Sequence, residues 1–223
     1  IYTLSLPAAL PIWDRSRGDA GTPLGARGRE GMLPNNDAGV GALTGIPGTV
    51  GGAVFMNAGT VNGSVCQHIE TVDIAGPEGM RTVAVDAGRY VYRGQDFCPP
   101  GDLILGGVFR FAHTDDDQRA VYAHYMQRRR DTQPQGHCCG SVFKNPPGDH
   151  AGRLIEACGL KGCQRGGAVV SLKHANFIMN ENNATFDDIA GLIRHVKETV
   201  FARLGITLEE EARLTAPEGG GSP

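Results

Sequence analysis

No run of apolar residues in this chain approaches the ~18 that a membrane-spanning helix requires. A basic excess is also missing. Lys and Arg number 21 against 24 Asp and Glu, a formal charge of −3, which argues against a surface for nucleic acid or another polyanion. The cysteines at 66, 98, 138, 139, 158 and 163 contain no CxxC pair, and the length is wrong for a disulfide-stapled secreted module. They read as reduced cytoplasmic thiols. A metal site drawn from His137, Cys138, Cys139, Cys158 and Cys163 matches no zinc spacing, so a metal-free protein is expected. No internal repeat is visible. What the chain has in abundance is glycine, 33 of its 223 residues and without a collagen-like period. That composition implies many turns and close backbone approaches, of the kind that wrap a cofactor. Hydrophobic residues at 40% and charged residues at 20% are ordinary for a globular chain and exclude a wholly disordered one. The length accommodates two small domains.

The two ends stand apart. The opening IYTLSLPAALPI lacks an initiator Met, a basic n-region and a clear cleavage site, which weighs against a signal-peptide fragment. Residues 1–13 look instead like translated adapter read-through, a sequence artefact. Residues 216–223 read as a flexible tail. Asp14 to Asn36 is Gly- and Arg-rich, has no sustained period and reads as irregular. Order is expected from about Val40, with strands over 68–75, 80–85 and 103–112. A helix over 117–130 follows, ended by Thr132-Gln133-Pro134. A short helix over 151–158 is closed by Gly159, and a strand ends in Phe177–Asn180. Thr185, with Asp188 three residues on, caps a helix whose apolar positions are Ile189, Leu192, Ile193, Val196, Val200 and Leu204, stopped by Gly205. A strand over Ile206–Leu214 is expected last. The pattern predicts a two-domain α+β protein with a boundary near residues 113–117.

One glycine stretch stands out. Gly45, Gly48, Gly51, Gly52 and Gly59 share a segment with Ile46, Pro47, Val50, Asn57 and Ala58. Such turns can aim several backbone N–H groups at a diphosphate or a flavin ring, yet the spacing fits neither GxGxxG nor a P-loop. On spacing alone, a tight structural turn accounts for it at least as well as a cofactor loop. Arg93, before a loop, is by residue type most often a solvated side chain, and Glu211 sits in a glutamate triplet that reads as a solvated charge run.

Taken together, however, GIPGTVGGAVFMNAG (45–59), Tyr92-Arg93, Thr132-Gln133-Pro134, GSVFKNP (140–146), LIEACGLKG (154–162), Gly166-Gly167-Ala168, KHANF (173–177) and LEEEAR (208–213) resemble, in order, the motifs of UDP-N-acetylenolpyruvoylglucosamine reductases. The resemblance covers roughly Val40 to Leu214 and points to the compact branch of that family, because Arg93 and Ser141 leave no room between them for the tyrosine-bearing loop of the longer branch. It implies a partial FAD-binding domain of the vanillyl-alcohol-oxidase type over 14–113, whose N-terminal subdomain and GlyGlySerAsn-type loop have no counterpart here. A family-specific α+β substrate-binding domain is implied over 114–215. The glycine segment 45–59 would hold FAD. Arg93 would grip the enolpyruvyl carboxylate and offset developing charge, Ser141 would donate the proton, and Glu211 would polarise or orient the intermediate. Tyr92, Lys144 and Asn145 would contact substrate.

The implied activity is the NADPH- and FAD-dependent reduction of UDP-N-acetylglucosamine enolpyruvate to UDP-N-acetylmuramate in peptidoglycan biosynthesis, and so in cell-wall biogenesis, cell shape and division. The implied protein is a cytoplasmic monomer, without nucleic-acid or membrane partners. Two alternatives stay open: a non-catalytic nucleotide-sugar-binding fragment, and another flavin oxidoreductase of the same fold.

Overall fold

A computed structural model describes residues 13–215 apart from positions 28, 30–32, 34, 40–42, 44 and 61. The expected artefact, except Trp13, and the expected tail lie outside the described residues. Two compact units make up the chain, residues 1–129 and 130–223. This division falls later than the boundary expected near 113–117. The helix Gln118–Thr132 explains the difference, because its first turns pack with the first unit. Gln118 is buried there and Val121 lies against that unit's core. Gly45 approaches the same helix so closely that a Cβ would stand 2.9 Å from both Met126 and Arg129.

The first unit is built on a four-stranded antiparallel sheet. Its strands are β1 (Trp13–Asp19), β4 (Ile69–Gly76), β5 (Gly79–Ala84) and β8 (Leu103–Ala112), in the order β1-β8-β4-β5. Two short ribbons accompany it: β2 (Gly59–Thr60) with β3 (Gly63–Ser64), and β6 (Tyr90–Val91) with β7 (Gly94–Gln95). Alternation along the sheet turns Val72, Ile74, Phe109 and Phe111 inward, each contributing ~1.5–3 kcal/mol by burial. The Phe109 and Phe111 rings lie parallel, 6.1 Å apart.

β1 overturns the irregular reading of the Asp14–Asn36 stretch. It is an edge strand, and its side chains are charged because they face water and bind across the sheet. Arg15 pairs with Glu70 at 2.7 Å and Arg17 with Asp73 at 2.6 Å, both acids standing on β4. Charge on an edge strand also discourages pairing with another chain. The glycine stretch likewise contains a helix that was not expected, Val50–Phe55, capped by the Thr49 hydroxyl, which accepts from the Gly52 N–H.

The second unit has its own antiparallel sheet, with β9 (Cys138–Ser141), β10 (Gln164–Arg165), β11 (Ala168–Val170) and β12 (Phe177–Asn180) in the order β10-β11-β12-β9. The helix Phe186–Leu204 packs on β10 and β11 and meets the helix Ala151–Ala157. The long helix starts as expected: Thr185 and Asp188 cap one another at 2.9 and 3.1 Å. It ends at Gly205, whose φ of +69° lies in the left-handed region that glycine adopts most readily. Leu192, Ile193, Val196 and Val200 meet Leu154, Ile155, Val170 and Phe143 in one core.

The strand expected over Ile206–Leu214 does not form. That segment contributes a single bridge, Phe143 with Glu210. Around that bridge, the Glu209 carbonyl and the Glu211 and Ala212 N–H groups bond to the loop after β9.

Candidate functional site

In the first unit the glycine segment divides into two parts. The N–H groups of Val50 and Gly51 bond to the Thr22 and Ala20 carbonyls, each at 2.9 Å. Gly51 lies so close to Ala20 that a Cβ would approach the alanine methyl to 2.7 Å. The start of this helix therefore docks on its own chain. The Gly52 N–H bonds to the Thr49 hydroxyl at 3.4 Å, and Val50 is fully buried. The flanking parts differ. Gly48 has φ +112° with open space where a side chain would be, and Gly45 also has a positive φ.

Beyond the helix, Asn57 is buried at 2% exposure and carries φ +42°. Its Nδ2 donates to the Val91 carbonyl at 2.7 Å, and its Oδ1 accepts from the Cys66 N–H at 3.1 Å. Asn57 thus ties the turn before β2 to the β6–β7 ribbon. Tyr92 and Arg93 form the two-residue turn of that ribbon. Arg93 has φ +58°, a conformation that a residue with a Cβ holds only when its surroundings impose it. Its guanidinium donates to the Gly59 carbonyl at 2.9 Å and stands 4.8 Å from the centre of the Tyr92 ring. Two cross-links therefore fasten 57–59 to 91–93. Between them opens a cleft of about 380 Å³, lined by Asn57, Thr60, Ser64, Gln67 and residues 90–93. Its size and convergent polar groups suit one end of a dinucleotide or a small carboxylate. Thr60, Ser64 and Gln67, which also line it, belong to no pattern that would single them out in the sequence. Burial pushes the nearby Cys66 thiol up to about 12, so it stays protonated.

The second unit gathers Ser141, Lys144, Asn145 and Glu211. Met179 pairs with Cys138 and Phe177 with Ser141, so two residues of β9 oppose one of β12. This is a bulge, with Gly140 at φ +86°. Bulges re-aim the side chain that follows, and here that side chain is Ser141. The next peptide groups are bonded on both sides. The Val142 N–H donates to the Asn176 carbonyl at 2.8 Å, and the Val142 carbonyl accepts from the Glu211 and Ala212 N–H groups at 2.8 and 3.1 Å. The Lys144 N–H donates to the Glu209 carbonyl at 2.8 Å.

The glutamate triplet is sorted by this knot. Glu209 pairs with Lys144 at 2.5 Å and Glu210 with Lys197 at 2.7 Å, while the backbone N–H of Glu211 bonds to Val142, the residue next to Ser141. Its carboxylate lies near Cys139: burial pushes that thiol up, with Cys138 and Glu211 adding to the effect. Lys144 is engaged by Glu209, and the Asn145 Oδ1 accepts from the Ala151 N–H at 3.0 Å at the start of the helix Ala151–Ala157. Those contacts give both residues a structural task. Among the described residues no group of three or more His, Cys, Asp or Glu could hold a metal. None of the helices searched is long and apolar enough to cross a membrane.

Comparison with known proteins bears on both units. The family described as UDP-N-acetylenolpyruvoylglucosamine reductase, C-terminal domain, matches residues 133–215. A protein named UDP-N-acetylenolpyruvoylglucosamine reductase from Syntrophobacter fumaroxidans is 42% identical over 203 residues, 89% of this chain and 58% of its own length. A protein of the same name from Alkalilimnicola ehrlichii is 46% identical over 183 residues, 79% of this chain and 60% of its own. A crystal structure of UDP-N-acetylenolpyruvylglucosamine reductase from Thermus caldophilus superposes with a TM-score of 0.77 at 34% identity, covering 87% of this chain and 70% of that one. The chain spans about three fifths of the length of these two curated relatives.

Proposed function

The chain belongs to the family of UDP-N-acetylenolpyruvoylglucosamine reductases, and from that premise we propose that it carries out the NADPH- and FAD-dependent reduction of UDP-N-acetylglucosamine enolpyruvate to UDP-N-acetylmuramate, a cytoplasmic step of peptidoglycan biosynthesis. The observation that carries the reading is the knot joining Ser141 to Glu211 through Val142. It gives a hydroxyl and a carboxylate, far apart in sequence, a common backbone anchor. FAD would be held by the glycine segment 45–59, in a unit read as part of a vanillyl-alcohol-oxidase-type domain. When bound, it supplies the hydride that saturates the terminal carbon of the enolpyruvyl double bond.

The chain's own residues do the remainder. Arg93, fixed to Gly59, holds the substrate carboxylate and offsets the negative charge that develops on the adjacent carbon. Tyr92 walls the same cleft. The Ser141 hydroxyl delivers a proton to that carbon, and Glu211 orients the reacting end of the substrate. Lys144 and Asn145 act at the sugar-nucleotide side by shaping the loop that carries Ser141.

The test is the visible spectrum of the purified chain after FAD is added and the excess removed. The reading predicts retained flavin absorbance, bleached by NADPH and restored by the enolpyruvyl nucleotide sugar. A colourless protein that still binds the nucleotide sugar would overturn the redox assignment in favour of a non-catalytic binding fragment.

A further inference from the structure

Asn176 is a buried polar side chain of the second unit, 3% exposed, that the proposed chemistry does not use. It stands in the turn between β11 and β12, and that turn is braced before it reaches the site. The Ser171 hydroxyl accepts from the Lys173 and His174 N–H groups at 3.1 and 3.3 Å, and His174 Nδ1 accepts from the Asn176 N–H at 3.2 Å. The side-chain amide of Asn176 then faces the peptide groups of Phe143. Its Oδ1 accepts from the Phe143 N–H at 2.9 Å, and its Nδ2 donates to the Phe143 carbonyl at 2.8 Å. Its own carbonyl takes the Val142 N–H.

We propose that Asn176 is a positioning residue for Ser141, a role that rests on the function proposed above. Past Ser141 and the Val142–Asn176 bond, β9 has no further ladder on β12, and the amide of Asn176 replaces the missing strand neighbour with one donor and one acceptor. The pattern fixes the amide's orientation, since a flip would set N–H against NH2 and oxygen against oxygen. No common side chain is equivalent. Asp retains the acceptor but turns a second oxygen on the Phe143 carbonyl, and Ala leaves both groups of a buried peptide unpaired. Because the Val142 carbonyl also takes the Glu211 N–H, one residue sets the register of both groups. A proton donor works only within hydrogen-bond reach of its target, so a small shift here is costly.

The test is a double-mutant cycle of Asn176→Ala and Ser141→Ala in the full chain loaded with FAD, with Asn176→Asp as a second variant. Flavin bleaching by NADPH and its restoration by the nucleotide sugar are read separately. Asn176→Ala is expected to slow restoration by about tenfold or more, leave bleaching and nucleotide-sugar affinity unchanged, and add no further loss in the Ser141→Ala background. Losses that multiply in that background, or an unchanged restoration rate, would overturn the proposal. Amide exchange gives a second readout that requires no turnover. In Asn176→Ala, the Val142 and Phe143 amides should exchange faster while those of Leu192 and Val196 keep their protection. Equal loss of protection along the helix Phe186–Leu204 would make Asn176 an ordinary core residue. If the parent chain bleaches and restores no flavin, the functional reading fails while the exchange result still decides the positioning claim.

Discussion

The two units solve the same problem with a buried asparagine and differ in where they place the strain. In the first, Asn57 fastens the Tyr92-Arg93 turn, and both Asn57 and Arg93 have positive φ. In the second, Asn176 fastens the loop after Ser141, and the positive φ falls on Gly140, which has no Cβ to oppose it. The first unit therefore holds Arg93 in a conformation its own backbone resists. The second carries its hydroxyl on a relaxed chain, knotted from both sides. A guanidinium that must meet a carboxylate at one angle gains from an imposed pose. A proton donor gains from a fixed distance.

That comparison can be broken from the strong end first. Arg93→Ala is expected to lower the rate of substrate reduction by roughly 10²–10³-fold while NADPH still reduces the flavin, the loss typical of removing one preorganised charge-stabilising donor. An unchanged rate in single-turnover mixing would remove Arg93 from the site. Next, Asn57→Ala orphans the Val91 carbonyl and the Cys66 N–H and should cost about 2–4 kcal/mol in denaturant unfolding. Asn57→Gly loses the same bonds but relaxes the backbone, so it should cost about 1 kcal/mol less. Equal losses would mean that the positive φ carries no strain. In the second unit, Gly205→Ala meets no atom within 4 Å, so only the left-handed backbone opposes it and the cost should be about 1–2 kcal/mol.

The smallest effect is one of charge. The Arg153 guanidinium, with the His150 N–H, holds the Asp149 carboxyl at about 2. A depressed carboxylate contributes stability that is present above its ordinary pKa near ~4. That contribution is lost as pH falls through about 2. A carboxyl chemical-shift titration should follow Asp149 there, and Arg153→Ala should return it toward the usual range.

Much of this was legible because local and global signals agreed. The strands over 69–76, 79–84 and 103–112 alternate or run apolar, and the long helix has its period, its Thr185-Asp188 box and its Gly205 stop. β1 was illegible because its arginines answer to Glu70 and Asp73 on a distant strand, and an edge needs no apolar alternation. The helix Val50–Phe55 was hidden by glycines that local propensity counts against a helix and that docking on Ala20 requires. The Ile206–Leu214 segment looks like a strand, yet its partners are a loop rather than a ladder.

Ser141, Arg93 and Glu211 could be singled out only through ordered motifs, since each is commonplace by residue type. The pairing of Glu209 and Glu210 with lysines, and the bond of the Glu211 N–H to Val142, depend on three-dimensional register. Asn176 read as one turn residue among many, because no local pattern announces an amide that serves as a strand.

On the proposed function the two units divide the work, the first holding flavin and the second delivering the proton. Ser141→Ala in rapid mixing tests it most directly, with the flavin band followed through each half-reaction. Bleaching by NADPH should keep the parent rate, and restoration by the nucleotide sugar should slow by roughly 10²–10⁴-fold. Both steps slowed alike, or neither, would contradict it.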